Sequence, residues 1–135
     1  MENPVNPRVR DRVSELAAAF QAGRPFRHVV IDDFLQPEIA EAMLADFRTH
    51  PDPSDLKDDF GEPNPRATVP DIASLGGVWP ALHEDIGGAA FLSVLEAISG
   101  IPDLRHDPGY FGGGTHESFA GAGLDPHCDF NIHPE

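Results

Sequence analysis

The sequence changes character near residue 103. Before that point apolar residues recur at helical spacing in three stretches, and beyond it the helical pattern disappears. Short strand-like pieces follow, punctuated by glycines as in a sheet region; the glycines are Gly109, Gly112, Gly113, Gly114, Gly121 and Gly123. The pattern predicts an α+β chain with its helices first. A chain of 135 residues is expected to form a single domain with a real hydrophobic core.

Three helices are predicted before the change. The first covers residues 8–22 and ends before Gly23, the second runs from Pro37 to about residue 50, and the third covers residues 89–99. Gly100 is the expected C-terminal cap of the third helix. The apolar faces consist of Val9, Val13, Leu16, Ala17 and Phe20, then Ile39, Met43, Leu44 and Phe47, then Phe91, Val94, Leu95 and Ile98.

Two further segments separate these helices. Phe26–Leu35 contains the short β-branched run His28–Ile31, which is typical of a buried strand. Residues 51–70 hold five prolines and show no period, so they are predicted to form an exposed loop. Its acidic part, residues 52–62, lacks the ligand rhythm of a calcium loop and is interpreted as solvated.

Charge and cysteine usage narrow the function classes. The net charge of −14 argues against nucleic acid or an anionic membrane as a partner, because both require a basic surface. Cys128 is the only cysteine, so no internal disulfide or cysteine-rich zinc site can form. No apolar run reaches the roughly 18 residues of a membrane helix, and no signal-peptide layout is present. A cytoplasmic protein is therefore expected.

The segment from His127 to His133 alternates strictly between polar and apolar residues. His127, Asp129, Asn131 and His133 fall on one side of a strand, because residues two apart share a face. An imidazole and a carboxylate placed side by side are two arms of the facial triad that holds non-haem Fe(II). The pattern alone therefore leaves two interpretations open: a metal site at His127 and Asp129, or a polar, solvent-facing strand.

His-x-Asp also occurs at His50–Asp52 and His83–Asp85, so its context must discriminate. The first pair lies where a predicted helix runs into a proline-rich loop, which favours a solvated cap. The second lies in a helical or irregular segment, where residues two apart do not share a face. Only the pair at His127 lies on a strand-like alternation.

From Phe26 onward the chain resembles the 2-oxoglutarate- and Fe(II)-dependent oxygenases of the prolyl-4-hydroxylase-like superfamily. The matching pieces are Phe26–Leu35 with its following helix, Phe91–Ile101, Gly112–His116, Gly123-Leu124 and His127–Pro134. The resemblance implies a double-stranded β-helix, the cupin-like jelly roll, with helices flanking it on the N-terminal side. It implies Fe(II) bound by His127 and Asp129, 2-oxoglutarate as co-substrate, and hydroxylation of a C–H bond. Ascorbate is a further candidate cofactor, and the substrate would be a peptide or a small molecule.

The chain also departs from the family pattern. The family uses a second, distal His as third ligand and a basic residue for 2-oxoglutarate, and neither follows Asp129 here. We therefore expect residues 1–135 to be the N-terminal part of an oxygenase domain, inactive by itself. Its helical flank would cover about residues 1–102 and its first jelly-roll strands about residues 103–135. The alternatives are a non-catalytic, truncated or diverged jelly-roll binding protein and, with less support, a small zinc hydrolase.

The remaining polar residues have simpler interpretations. His133 lies six residues after His127, about 20 Å along a strand at about 3.3 Å per residue, too far to bind the same ion without a sharp bend. His116 and Asn131 either line the co-substrate pocket or are ordinary polar strand positions. The triple glycine lacks the following Lys-Ser/Thr of a phosphate loop and is interpreted as a strand bend. Cys128 faces the apolar side of the alternation and is interpreted as a small buried hydrophobe.

Overall fold

A computed structural model describes residues 3–47, 52–57, 61–110, 113–124 and 126. These residues form five helices, two short 3₁₀ turns and one antiparallel pair of strands. The helices are α1 (Pro7–Asp11), α2 (Val13–Ala22), α3 (Pro37–Asp46), α4 (Trp79–Gly87) and α5 (Ala89–Ser99); the 3₁₀ turns are Pro53–Asp55 and Ile72–Leu75; the strands are β1 (Arg66–Val69) and β2 (Thr115–Ser118). Within this part of the chain, no helix has the length and apolar character needed to cross a membrane.

The chain divides into two compact units. Met1–Phe47 with Ala73–Pro108 forms the first, here called the helical unit. Arg48–Ile72 with Gly109–Glu135 forms the second, here called the sheet unit. The described residues thus combine helices with an antiparallel sheet. Two strands do not make a jelly roll, so the double-stranded β-helix stays a prediction.

The helical unit is built around the packing of α2 against α5, with α4 against α5 beside it. α5 is predicted correctly from the sequence: it ends at Ser99, and Gly100 follows with a φ of 75°, the left-handed cap that glycine adopts without strain. The buried apolar residues of this unit are Val5, Val9, Leu16, Met43, Leu75, Trp79, Leu82, Phe91 and Ile98.

The predicted first helix is two helices. α1 begins at Pro7, where the side chain of Asn6 accepts a hydrogen bond from the amide of Arg8 and caps the helix. The chain then breaks at Arg12, and α2 continues to Ala22. Val9 and Leu16 from the predicted apolar face are both buried, so the spacing identified the correct face across the break.

The predicted buried strand at His28–Ile31 is wrong. The segment belongs to no strand, and Val30 is 76% exposed. Val29 and Ile31 are half-buried and line an apolar groove of about 500 Å³ with side chains of α2 and α5. A β-branched run favours extended backbone, but a strand also needs a pairing partner, and none is present among the described residues.

α3 and α4 also differ from the sequence prediction. α3 ends at Asp46, and of its predicted apolar stripe Met43 is buried whereas Leu44 is 78% exposed. α4 was not predicted as a separate helix. It begins at Trp79, and a proline occupies its first turn, where the missing N–H has no intrahelical partner to lose.

The sheet unit contains the β1–β2 pair. Its register places Arg66 opposite Ser118 and Thr68 opposite His116. The exposed-loop prediction for residues 51–70 is therefore wrong at Arg66–Val69, which forms β1. Ile72, two residues beyond this stretch, is 5% exposed.

Candidate functional site

The predicted metal ligands His127 and Asp129 lie outside the described residues, as do Cys128, Asn131 and His133. Their assignment stays a prediction from the sequence. Within the described ranges, no group of three or more His, Cys, Asp or Glu side chains is arranged to hold a metal ion. What the structure does describe is the sheet that leads up to this segment, and the side chains on its two faces.

One face of the β1–β2 pair is polar. Arg66, Thr68, His116 and Ser118 share it, because the register pairs them directly and residues two apart on a strand point the same way. Thr68, His116 and Ser118 are exposed and Arg66 is half-buried. The interpretation of His116 as an ordinary polar strand position is therefore correct for its location. His116 also makes side-chain hydrogen bonds across the strand pair.

His116 is held by two neighbours across the pair. Arg66 Nη2 lies 2.9 Å from His116 Nδ1, and Thr68 Oγ1 lies 3.3 Å from the same nitrogen. A guanidinium cannot accept a hydrogen bond, so Arg66 donates and Nδ1 is the acceptor. The imidazole in this arrangement is the neutral Nε2–H tautomer, and its Nε2–H remains a donor.

The segment after β2 folds back and is hydrogen-bonded to Asn64 and Pro65, the two residues before β1. The amide of Phe119 donates to the carbonyl of Pro65 at 2.9 Å. Asn64 Nδ2 donates to the carbonyl of Gly123 at 3.0 Å, and the Gly123 amide donates back to Asn64 Oδ1 at 3.4 Å. This reciprocal pair fixes the backbone three residues before Pro126.

The fold-back and the polar face border an open, solvent-accessible cavity of about 240 Å³. Arg66, His116 and Ser118 form one side of it, and Ala122, Gly123 and Leu124 form the other. Leu124 is 63% exposed, so the apolar side of the cavity is open to solvent rather than sealed in a core. A cavity lined by a guanidinium and by methyl groups can accept a ligand that has both an anionic group and an apolar part.

Gly114, the last residue of the triple glycine, marks a close approach of two backbones. Gly114 has a φ of 115°, and a Cβ placed there would lie 2.4 Å from the carbonyl oxygen of Val69. Only glycine fits this position, which immediately precedes β2. The interpretation of the glycines as a strand bend is confirmed at Gly114. Nearby, burial raises the pKa of the Tyr110 phenol, and the charge of Asp71 adds to that effect.

The His83–Asp85 pair has a structural explanation. Both residues lie on α4, so they do not share a face. Asp85 accepts a hydrogen bond from Arg10 Nη2 at 2.9 Å and another from the amide of Val5 at 3.1 Å. Its carboxylate therefore fastens the N-terminal segment to α4, in agreement with the sequence argument against a metal site there.

Sequence reasoning missed the role of Arg66. It lies in a stretch that was interpreted as loop, and its contact with His116 spans 50 residues. The only local signal is the alternation from Arg66 to Val69, which is four residues long and flanked by prolines. Such a short alternation cannot be distinguished from chance without its partner strand.

Comparisons with known protein families, with curated proteins and with solved structures found no match. The resemblance to the prolyl-4-hydroxylase-like oxygenases therefore depends on the sequence segments alone.

Proposed function

We propose that this chain belongs to an Fe(II)- and 2-oxoglutarate-dependent dioxygenase in which His127 and Asp129 are two of the iron ligands. The observation that carries the proposal is the polar–apolar alternation around this His-x-Asp pair, because in a strand the two side chains would share one face. An imidazole nitrogen and a carboxylate oxygen fit Fe(II), and they leave positions open for further ligands.

The chemistry that iron supplies with 2-oxoglutarate is O₂ activation for hydroxylation of a C–H bond. The protein's own contribution would be to hold the two ligands on a rigid strand and to orient a peptide or small-molecule substrate beside them. The described β2 supports the expected strand character of the region that precedes His127. The carboxylate of Asp85 already accepts hydrogen bonds from Arg10 and from the amide of Val5, which argues against His83–Asp85 as the metal-binding His-x-Asp pair.

A cytoplasmic location is part of the proposal. It is supported by the single cysteine, because secreted domains of this size commonly depend on disulfides.

The test is anaerobic Fe(II) titration of the purified chain, followed by calorimetry. We expect weak, saturable binding by two protein ligands. His127→Ala and Asp129→Ala should each abolish it, whereas His50→Ala should leave it unchanged. Fe(II) binding that survives His127→Ala would overturn the assignment.

The second candidate is a non-catalytic jelly-roll relative that binds a partner. It is favoured by one observation: the polar–apolar alternation from His127 to His133 is equally that of a strand with one polar, solvent-facing side. The two candidates differ in their dependence on 2-oxoglutarate. Fe(II) affinity that rises when 2-oxoglutarate is added supports the oxygenase, and the absence of any Fe(II) binding supports the non-catalytic protein.

A further inference from the structure

We propose that the cavity over the polar face of the β1–β2 pair binds the carboxylate of a small organic acid, with Arg66 and His116 as the recognition residues. The inference concerns residues of the sheet unit that the oxygenase proposal does not use, and it does not depend on a metal.

The first argument is charge. The chain carries 9 Lys and Arg against 23 Asp and Glu, so a guanidinium has many carboxylates available as partners. Yet no carboxylate among the described residues pairs with Arg66, and within the same residues its side chain donates only to the neutral His116. A guanidinium has five N–H donors in a planar fork, and one is used here. The others match the two oxygens of a carboxylate.

The second argument is the set of donors beside the guanidinium. Because Nδ1 of His116 is occupied by Arg66 and Thr68, its Nε2–H is the ring donor that remains. The hydroxyl of Ser118 lines the same cavity. These neutral donors add hydrogen bonds without adding charge. One fixed positive charge with neutral donors suits a monoanionic carboxylate better than a dianionic phosphate.

The third argument is the opposite side and the size of the cavity. Ala122 and Leu124 present methyl groups to it, and the reciprocal bonds of Asn64 with Gly123 hold that side in place. Its volume of about 240 Å³ is below the roughly 300–1,000 Å³ of sites for drug-sized ligands. The ligand is therefore a carboxylate with a short hydrocarbon part rather than a bare anion or a large molecule.

The experiment uses the ¹⁵N,¹³C-labelled chain in EDTA, titrated with pentanoate and followed by the chemical shifts of the His116 ring and the Gly123 amide. We expect saturable shifts at both positions. Acetate should bind at least several-fold more weakly because it lacks the hydrocarbon part. Pentan-1-ol and pentylamine, which keep that part and lack the anion, should produce no saturable shift at the His116 ring.

Variants identify the residues responsible. Arg66→Gln should weaken pentanoate binding at least tenfold, Arg66→Lys should weaken it less, and Arg8→Gln, at an exposed arginine of α1, should have no effect. Leu124→Ser should reduce the difference in affinity between pentanoate and acetate, because it shortens the apolar side of the cavity and leaves Arg66 and His116 unchanged. The amide shifts of β1 and β2 report whether each variant keeps the strand pair, and a variant that loses it is replaced by His116→Gln.

Several outcomes would overturn the proposal. They are unchanged pentanoate binding in Arg66→Gln with the strand pair intact, equal binding of pentan-1-ol, and tighter binding of inorganic phosphate than of pentanoate. Tighter binding of a capped glutamyl peptide would assign the site to a peptide carboxylate and overturn the small-acid assignment. Because the pentanoate titration is carried out in EDTA, its outcome does not depend on whether the chain binds Fe(II). A failure of pentanoate binding would likewise leave the Fe(II) proposal untouched.

Discussion

The helical unit and the sheet unit hold their structures by different means. The helical unit buries nine apolar side chains, among them Val9, Leu16 and Phe91, between helices that contact one another directly. In the described part of the sheet unit, Ile72 is the one apolar residue buried to a comparable degree. That unit depends instead on the β1–β2 ladder and on the hydrogen bonds of Asn64 with Gly123.

The difference suggests that the helical unit provides stability and the sheet unit provides ligand recognition. Apolar burial supplies most of the free energy of folding, so the helical unit should carry most of the chain's stability. The cavity over the polar face, with Arg66 and His116, lies in the sheet unit, whose described residues bury fewer apolar side chains. Segments with few buried contacts open at lower free energy than the core does, and ligand-binding segments are commonly of this kind. The predictions below test this division.

The largest effect is expected in the helical core. Leu16 is 2% exposed, and Leu16→Ala should lower the free energy of unfolding by about 2–5 kcal/mol, because it removes buried methyl groups and leaves a cavity. Leu44, which is 78% exposed, provides the matched control, and Leu44→Ala should change stability by less than about 0.5 kcal/mol. Urea unfolding followed by circular dichroism measures both. Equal effects would contradict the assignment of the core.

The next effect is expected at the backbone contact of the sheet unit. Gly114→Ala places a Cβ against the carbonyl of Val69 at a φ that L-residues rarely adopt, and should cost about 1–3 kcal/mol. Hydrogen exchange should speed up at the β1–β2 ladder, while amides of α5 exchange as in the unchanged chain. Gly123→Ala is the control, because a Cβ at that glycine meets nothing within 4 Å. An equal loss of protection in α5 would show that the two units do not differ in local stability.

A smaller effect is expected from the carboxylate that fastens the N-terminal segment. Asp85→Ala removes the acceptor of Arg10 and one of the two acceptors of the Val5 amide, which also donates to Asn3 Oδ1 at 3.2 Å, and should lower the free energy of unfolding by about 1–2 kcal/mol. Glu84→Ala, at the exposed neighbour on α4, is the control and should be close to neutral. Thermal unfolding of the two variants decides, and equal melting temperatures would refute the role given to Asp85.

The smallest effect concerns the exposed pair of Arg12, at the break before α2, and Glu15 in the first turn of α2. The hydrogen bonds and charge of Arg12 lower the pKa of the Glu15 carboxyl below its ordinary value. A lowered folded-state pKa means that the pair stabilises the chain above the unfolded-state pKa, and that this contribution is lost as pH falls through the folded-state pKa. Arg12→Gln should return the Glu15 pKa toward its ordinary value. Carboxyl ¹³C titration measures it, and an unchanged pKa would contradict the pairing.

The sequence predicted local features well and long-range ones poorly. α5 and its Gly100 cap follow from apolar spacing and from the conformational freedom of glycine, both of which are properties of adjacent residues. The strand predicted at His28–Ile31 failed because a β-branched run cannot indicate whether a partner will pair with it. β1 was missed for the converse reason, since its partner is far away in the sequence. In the candidate site, the strand position of His116 and the bend at Gly114 follow from local sequence, whereas the contact of His116 with Arg66 does not.

The reciprocal hydrogen bonds between Asn64 and Gly123 also have a kinetic consequence. They join residues 59 positions apart, and all of α4 and α5 lies within the chain they enclose. Contacts of such long sequence separation form slowly, because the entropy of closing the intervening chain is lost before the contact can form. Helices form from neighbouring residues and condense early, which shortens the effective length of chain still to be closed. We therefore expect the helical unit to form before the sheet unit during folding. The cavity over the polar face should then be among the last features of the protein to appear.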